Sequence, residues 1–279
     1  MKSLTQMKNS KLSGKWCSLA LAIAAVMAPA ALTAGTVSEK APAPIAPVEE
    51  APFVSGALSF VADTHFVSYG QDVWGGGDDF LWEQVLFHPS LELNFNLGSG
   101  FSAIIGTWFD VNGEGPEAEI GQRVQEVDVW AGLAYSVGDW KFTALYQAWM
   151  YASDTEQIVD VKIAYTNFLN PYLLLHGRID EGASGFDTGL VVQVGIAPAV
   201  PVGPVTISFP VTANYDTKGF HGGDAGFSYA SGGINVNIPV MKHVSVNVGA
   251  TYYYTNDQVI PGNVDEAFVA GSAGITIAF

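Results

Sequence analysis

Asp63 and His65 are a pair of side chains whose types and spacing could do chemistry. Residues two apart in a β-strand point to the same face, so the aspartate could orient the imidazole and the imidazole could act as a general base. A hydrolase would need a serine nucleophile beside them. The sequence offers no serine that can be assigned to this role. We therefore predict no catalytic residues and interpret His65 as a hydrogen-bonded interior side chain.

Two glycine-rich stretches carry carboxylates that could hold an ion, "GGGDD" at 75–79 and "HGGD" at 221–224. Neither has the spaced Asp residues and closing Glu of a calcium loop, or the lysine of a phosphate-binding loop. No cluster of His, Cys, Asp and Glu has the spacing of a transition-metal site. We therefore predict surface loops, no metal and no cofactor, and keep loose calcium binding by acidic loops as an open hypothesis.

The charge balance argues against nucleic acid as a partner. The chain has 279 residues with 11 Lys+Arg against 27 Asp+Glu, whereas a nucleic-acid-binding surface is basic. Low overall charge, 31 glycines and many aromatic residues also argue against an intrinsically disordered chain.

The N-terminus has the pattern of an export signal. Four lysines precede the apolar stretch "WCSLALAIAAVMAPA" at 16–30, and small residues follow up to Ala34. A basic region, a short apolar core and an A-x-A-like end are typical of a secretory signal peptide. The alternative, a membrane-anchoring helix, needs about 20 apolar residues, and the stretch 16–30 is shorter than that. We predict a cleaved signal peptide at 1–34 and a Pro/Ala-rich arm at 35–52, and Cys17 is then lost, so the mature chain forms no disulfide.

From residue 53 onward, apolar and polar side chains alternate with period two. In "LELNFNL" at 91–97, for example, every second side chain is apolar. Stretches of about ten such residues, separated by Gly, Pro, Asn and Asp, are typical of membrane-spanning β-strands. The predicted strands are 54–69, 84–97, 101–112, 124–137, 140–151, 156–167, 172–180, 187–198, 204–216, 225–238, 243–255 and 266–279.

The predicted connections alternate between short and long. Short turns such as "GSG" at 98–100 and "AVPVGP" at 199–204 follow the even strands, whereas loops such as 70–83 and 111–123 follow the odd ones. The six longer loops hold 17 of the 27 acidic residues, and the short turns hold only Asp139. This asymmetry predicts an all-β fold: a transmembrane antiparallel up-and-down β-barrel at 53–279 of about 12 strands, with short periplasmic turns, longer acidic extracellular loops and the 35–52 arm in the periplasm.

Aromatic residues on the apolar face support two interfacial belts. Near the short turns we place Phe95, Phe101, Tyr135, Trp140, Tyr165 and Phe279, and near the long loops Phe66, Phe109, Tyr215, Phe227 and Tyr254. Such belts are expected where a barrel meets both lipid interfaces. A soluble β-sandwich also has alternating strands, but it does not account for the loop alternation or for a strand that runs to the last residue.

The face opposite the apolar one would line the lumen, and acids outnumber bases on it. We predict as pore-lining Asp63, His65, Glu92, Asn94, Trp108, Asp110, Glu126, Asp128, Trp130, Lys141, Asp160, Lys162, His176, Arg178, Asp180 and Asn214. Acidic rings favour cations in pores. Because about twelve strands fall between filled and open barrels, two alternatives stay open: a narrow water-filled pore, or a lumen plugged by its own polar side chains.

Three positions interrupt the strand pattern. The alternation changes phase near "YASGGIN" at 229–235, where two glycines suggest a bulge. Pro89 and Pro210 each remove a ladder donor. We expect Pro89 to mark where its strand leaves the loop, and Pro210 to lie at another bulge.

The segments "HPSLELNFNLGSGFSAIIGTWFDVN" (88–112) and "QEVDVWAGLAYSVGDWKF" (125–142) resemble the TorF-like porin family, and the strand plan resembles outer-membrane porins of Gram-negative envelopes. The resemblance implies passive transport by a channel in the cell outer membrane. It also implies that the ending with Phe279, Ile277 and Ile275 is the signal read by the barrel-assembly machinery.

The sequence thus predicts an outer-membrane porin-like channel for passive diffusion of small hydrophilic solutes, with a mild preference for cations and no enzymatic activity. Its predicted partners are outer-membrane lipids, the assembly machinery and the solutes, and the oligomeric state is undetermined. One alternative is a non-conducting barrel with a structural or partner-binding role through its acidic loops. Another is a surface lipid-modifying enzyme.

Overall fold

A computed structural model describes residues 52–74, 85–113, 123–151, 154–180 and 184–279. The predicted signal peptide, most of the predicted arm and the "GGGDD" stretch lie outside these ranges. The described chain forms β-strands β1 (Val54–Asp63), β2 (Phe66–Ser68), β3 (Gln71–Trp74), β4 (Leu86–Gly98), β5 (Phe101–Val111), β6 (Val124–Val137), β7 (Trp140–Tyr151), β8 (Asp154–Tyr165), β9 (Tyr172–Asp180), β10 (Gly189–Ile196), β11 (Ala199–Val202), β12 (Val205–Ser208), β13 (Val211–Asp216), β14 (Gly226–Met241), β15 (Val244–Thr255) and β16 (Ala267–Ala278). No helix among these residues is long and apolar enough to cross a membrane.

Twelve of the strands close into an antiparallel ring. Each pairs with its neighbour in the order β1-β4-β5-β6-β7-β8-β9-β10-β13-β14-β15-β16, and β16 returns to β1 with Ala57 opposite Ala278 and Asp63 opposite Ser272. The last residue takes part, because Phe279 and Gly56 exchange backbone hydrogen bonds of 2.8 and 3.0 Å. Closure satisfies the backbone groups that an open sheet would leave unpaired.

Burial in this ring is the reverse of that in a soluble protein. Among the described residues, twenty buried side chains are polar or charged and eleven are hydrophobic, while many large apolar side chains are exposed on the outside. Exposed rings mark both rims, with Phe101 and Trp140 near the short turns and Tyr215 and Tyr254 near the long loops. An apolar outer band around a polar interior is the pattern of a transmembrane β-barrel of the outer-membrane type. The predicted fold class is therefore confirmed.

Prolines interrupt the wall at two places: at Pro210, where only a bulge was predicted, and at Pro198, where no interruption was predicted. Pro198 separates β10 from β11, and Pro210 separates β12 from β13, since proline cannot donate to the ladder. The predicted turn at 199–204 is wrong: 199–202 is strand, and the chain reverses over Gly203 and Pro204, with Gly203 at φ 60°. The β11–β12 hairpin extends the wall and pairs with β14.

Three other predicted details need correction. The phase change lies at Ser228, just before the predicted segment 229–235, because Asn214 pairs with Tyr229 while the next residue, Tyr215, pairs with Phe227. Pro89 lies within β4, where pairing with β5 is interrupted between Phe87 and Ser90. The β7–β8 connection comprises only 152–153 instead of the predicted loop 152–156.

The largest difference concerns the first long connection. The predicted strand 54–69 ends at Asp63, and residues 66–74 form a separate hairpin, β2–β3, with Phe66 opposite Trp74. We call residues 66–74 the lumenal hairpin, because its side chains contact the inner wall. Phe66, predicted to lie in an outer belt, instead packs at 5.1 Å from Trp108 and 5.6 Å from His88, measured between ring centroids.

Candidate functional site

The candidate site is the lumen at the level of the lumenal hairpin. At the hairpin's tip, the Tyr69 ring stacks on His176 with centroids 3.9 Å apart and on Trp149 at 6.3 Å. Gly70 follows with φ 93°, and a Cβ added there would lie 2.3 Å from the Tyr229 ring. The tip therefore reaches from the wall between β1 and β4 to side chains of β7, β9 and β14. It occupies the lumen near the long-loop ends of these strands.

Two polar attachments hold the hairpin in place. Asn263, in the connection 256–266, donates from Nδ2 to the Gly70 carbonyl at 2.9 Å and accepts from the Asp72 amide at 2.8 Å. Trp74 donates from Nε1 to Asp110 Oδ2 at 2.8 Å. The same connection supplies Val259 and Ile260 to a small apolar cluster with Tyr229, against which Tyr69 packs. Two long connections thus fold inward together.

Three aspartate–histidine pairs surround the hairpin. His88 lies between two carboxylates, at 2.6 Å from Asp63 and 3.3 Å from Asp110. His176 Nδ1 lies 2.7 Å from Asp160 Oδ1, and His221 Nδ1 lies 2.8 Å from Asp216 Oδ2. All seven of these side chains, three histidines and four aspartates, are buried. Partners of this kind are what make buried polar groups tolerable.

Arg178 and Glu156 form a buried ion pair on the same wall. Arg178 Nε lies 3.1 Å from Glu156 Oε2, and the two side chains are 4% and 0% exposed. Arg178 Nη1 also donates to the Phe220 carbonyl at 2.6 Å, and its guanidinium lies 4.2 Å from the centre of the Phe220 ring. The 217–225 connection is therefore also fixed to the inner wall. The arginine is thus held by a counter-charge, a backbone carbonyl and an aromatic ring.

The half of the lumen toward the short turns is lined differently. Amides and hydroxyls form a hydrogen-bonded row across β14, β15, β16 and β1, joining Asn237, Asn247, Thr276 and Ser59 at 2.6–3.1 Å. On the β7–β8 wall of this half are Lys141 and Lys162, both half-buried. The lumen is thus divided along its axis into a half rich in paired carboxylates and a half rich in neutral polar groups with two lysines.

The predicted pore-lining residues fall into three groups. Those buried inside the barrel are Asp63, His65, Asp110, Asp160, His176, Arg178 and Asn214. Those half-buried on the inner face are Glu92, Asn94, Trp108, Glu126, Asp128, Trp130, Lys141 and Lys162. Asp180 departs from the prediction: a register shift at Gln157/Ile158 turns it to the outside, where it is exposed and accepts a hydrogen bond from Gln157.

Asp63 and His65, considered above as a possible orienter–base pair and set aside, do not pair with each other. Asp63 bonds His88, which lies 25 residues away, and His65 Nδ1 is 2.8 Å from the Thr64 hydroxyl. Pairing of β1 with β4 sets Val61 opposite His88, which puts Asp63 and His88 on neighbouring positions of the inner face. The period-two pattern gave the correct face for Asp63, but the partner depends on the register between strands.

Several interior residues were missed: Trp74, Phe220, His221 and Asn263 lie in predicted loops, and Tyr69 is the last residue of the predicted strand 54–69, which was predicted too long. Tyr69, Trp74, Phe220, His221 and Asn263 all contact the inner wall. The available signal was composition, since aromatic and histidine side chains are unusual in a loop that remains in water. The ion-binding hypothesis for "HGGD" is also revised: His221 is only 4% exposed and is paired with Asp216.

The histidine pairs do not assemble a hydrolase. No serine hydroxyl in the described ranges hydrogen-bonds the imidazole of His88, His176 or His221, and Ser228 donates instead to Asp216 Oδ1 at 2.8 Å. Within the described ranges, no group of three or more His, Cys, Asp or Glu side chains is arranged to hold a metal ion. The arrangement can bind or filter polar molecules, and it fixes loops inside a barrel.

Comparison with known proteins adds fold-level likeness only. No family model and no curated protein matches the chain. The TorF-like resemblance is therefore not confirmed. One similar solved structure is the KdgM porin, which is 10% identical, with the match covering 80% of this chain and 99% of that chain at a TM-score of 0.48. Another is an outer membrane channel from Pseudomonas putida F1, which is 11% identical, with the match covering 84% of this chain and 100% of that chain at a TM-score of 0.49. Outer membrane phospholipase A from Escherichia coli is similar to the same degree: it is 11% identical, and the match covers 83% of this chain and 93% of that chain at a TM-score of 0.45. At these values, conclusions about this chain depend on its own geometry.

Proposed function

We propose that this protein is an outer-membrane porin-like channel whose passage is restricted by the lumenal hairpin. The observation that carries the proposal is a polar, charge-lined interior in a closed barrel, crossed near the long-loop rim by a short segment that is not part of the wall. Side chains fill small barrels, whereas larger ones enclose channels or lumens occupied by loops. Transport would be passive diffusion of small hydrophilic solutes.

The way the hairpin tip is seated supports a displaceable constriction. Tyr69 has φ 47°, a region that non-glycine residues rarely adopt. Its stacking partner His176 has a buried Nε2 without a hydrogen-bond partner among the described residues, and both amide atoms of Asn214, which lies opposite Tyr229 in the strand register, are in the same condition. A buried unsatisfied polar group costs about 1–3 kcal/mol. Water entering after the tip withdraws would satisfy these groups, so the free-energy difference between seated and withdrawn states is reduced.

A mild preference for cations belongs to the same proposal. Near the hairpin, carboxylates outnumber cationic groups, and Asp128 Oδ1 is buried without a hydrogen-bond partner in the described chain. Carboxylate rings attract cations in a narrow pore. The long-loop half of the lumen is therefore the region expected to set ion preference.

Planar bilayers test the channel directly. We expect discrete conductance steps from the purified protein and a reversal potential in a KCl gradient that indicates cation preference. The double variant Asp128→Asn/Asp160→Asn should reduce this preference, while Asp224→Asn, whose carboxylate is 74% exposed in a loop, should leave it unchanged. Absence of conductance steps under all conditions would reject the channel, and an unchanged reversal potential in the double variant would reject this origin of selectivity.

The second candidate is a non-conducting barrel that serves the envelope through its loops. The contacts of the lumenal hairpin and of two further connections with the inner wall of the long-loop half favour it specifically. A barrel that passes no current, even after the hairpin tip has been displaced, would support this candidate. In either case the protein would contact outer-membrane lipids along its exposed apolar band.

A further inference from the structure

We propose that Lys141 and Lys162 form a binding site for the carboxylate or phosphate group of a small solute, in the half of the lumen toward the short turns. The proposal deepens the channel function and rests on it for the route by which a solute arrives. Inorganic phosphate is the simplest probe of the shared chemistry.

The register of β7 and β8 brings the two lysines together. Thr143 pairs with Lys162 and Lys141 pairs with Ala164, so the lysines occupy diagonal positions on the inner face. Diagonal neighbours are within reach of long side chains. Like charges in such positions repel each other, so this pairing is locally unfavourable. Departures from favourable local pairing are expected most often at functional positions, and the two lysines are therefore a candidate for one.

Neither ammonium has a hydrogen-bonded or ion-paired partner in the described protein. No hydrogen bond or ion pair joins Lys141 or Lys162 to another described residue, in contrast to Arg178, which is paired with Glu156 at 3.1 Å. The carboxylates nearest along the wall are already engaged: Asp160 bonds His176 and Gln147 at 2.7 Å each, and Glu92 accepts from Trp130 at 3.2 Å. An incoming anion would therefore meet two donors with unused capacity.

Tyr172 fixes one of the two ammonium groups. Lys162 Nζ lies 4.5 Å from the centre of the Tyr172 ring, and the Tyr172 hydroxyl is held by Gln193 at 3.1 Å and Thr212 at 3.2 Å. A cation over an aromatic face is attracted by the ring. The ring is fixed from β10 and β13, so the ammonium is positioned before the ligand arrives. Less conformational freedom is then lost on binding.

The surroundings suit an anion at this level. A hydrogen-bonded row of Asn, Thr and Ser side chains lines part of this half, and the carboxylates of Asp160 and Glu92, whose charge acts on Lys162, already accept hydrogen bonds from other side chains. A solute carrying an acidic group would be held at the lysines, while simple cations are favoured at the hairpin. The two levels thus act on different charges.

The test measures binding without relying on conduction. Thermal unfolding of the mature barrel in a non-ionic detergent is followed by near-UV circular dichroism, in sodium phosphate and in sodium chloride of equal ionic strength at pH 7. We expect phosphate to raise the melting temperature of the native protein, increasingly with concentration, because a ligand that binds only the folded state stabilises it. Lys141→Gln/Lys162→Gln should lose this shift, and Lys141→Arg/Lys162→Arg should retain it.

Lys218→Gln is the matched control, because Lys218 is 78% exposed in a loop, and it should keep the full phosphate shift. An equal shift in the glutamine variant, or none in the native protein, would overturn the site. A native protein that shows the lysine-dependent shift but no current in bilayers would retain the site and lose the channel. A protein that conducts current but shows no phosphate-induced shift would retain the channel and lose the lysine site.

Discussion

At the scale of single residues, glycines facing aromatic rings shape the inner wall. A Cβ on Gly106 would lie 2.2 Å from the Trp130 indole, and one on Gly195 would lie 2.5 Å from the Tyr172 ring. Each ring lies over the neighbouring strand in space that only a glycine leaves open. This placement lets Trp130 donate to Glu92 at 3.2 Å. Large side chains can therefore lie flat against the wall instead of projecting into the lumen.

Gly106→Ala tests this fit. The added methyl group must displace Trp130, so we expect destabilisation of about 1–3 kcal/mol, typical of overpacking, and a change in tryptophan fluorescence. Gly177→Ala is the control, because the nearest atom to its Cβ would be 3.6 Å away. Urea unfolding in detergent measures both, and equal stabilities of the two variants would contradict the proposed close contact.

Arg178→Met tests the buried ion pair. Removing the guanidinium leaves Glu156 buried, 0% exposed, without its counter-charge. Breaking such a pair costs about 3–5 kcal/mol. We expect a loss of that order in the free energy of unfolding, measured by urea titration, and restoration of much of it in Arg178→Met/Glu156→Gln. A single variant as stable as the native protein would show that the pair is dispensable.

Sequence alone predicted which face most residues occupy but not which residues they contact. Alternation assigns Asp160, His176 and Arg178 to the interior because it depends only on period two. The partners of these side chains are set by strand register, which pairs Asp160 with His176 across β8 and β9. Asp180 shows where alternation fails to predict the face: one extra, unpaired residue in the strand, Ile179, moves Asp180 to the outside.

At the scale of elements, the lumenal hairpin is the feature that separates this barrel from an open ring. Apart from the first strand, predicted six residues too long, and the proline-broken segment 197–210, strand bounds were predictable to within a few residues because each strand carries its own alternation. The hairpin was not, because its three- and four-residue strands are too short to show a period. Its seat is formed by Asn263, Tyr229 and His176, which come from distant parts of the chain. Tertiary contacts therefore determine the conformation of residues 66–74.

Gly70→Ala should unseat the hairpin. The new Cβ would lie 2.3 Å from Tyr229, in addition to the strain of φ 93°. A non-glycine residue at such an angle costs about 1–3 kcal/mol. We expect a weaker near-UV circular dichroism signal from Tyr69 and its ring neighbours and, if the channel proposal is correct, a higher single-channel conductance.

Gly98→Ala is the control for Gly70→Ala. Gly98 also has a positive φ, 82°, but nothing lies within 4 Å of its Cβ position. The two variants share the backbone strain and differ in the contact with Tyr229. Identical spectra from both would mean that the tip is not held against Tyr229 in solution.

At the scale of the whole molecule, closure depends on the two ends of the described chain. β1 and β16 pair along seven positions, from Ala57 opposite Ala278 to Asp63 opposite Ser272, so the wall has no gap between first and last strands. Residues at the end of a strand fray unless they are held. Here Gly56 holds the last residue through two backbone bonds.

Phe279→Gln separates closure from recognition by the assembly machinery. The backbone bonds between residues 279 and 56 survive the substitution, and the ring is 53% exposed, so refolding of the purified protein into detergent should change little. If the side chain at 279 is read during assembly, as the resemblance to outer-membrane barrels implies, the amount of folded barrel in the outer membrane of cells should fall severalfold. Phe279→Tyr, which keeps the aromatic ring, should restore it. Equal losses in cells and in detergent would instead assign Phe279 to barrel stability alone.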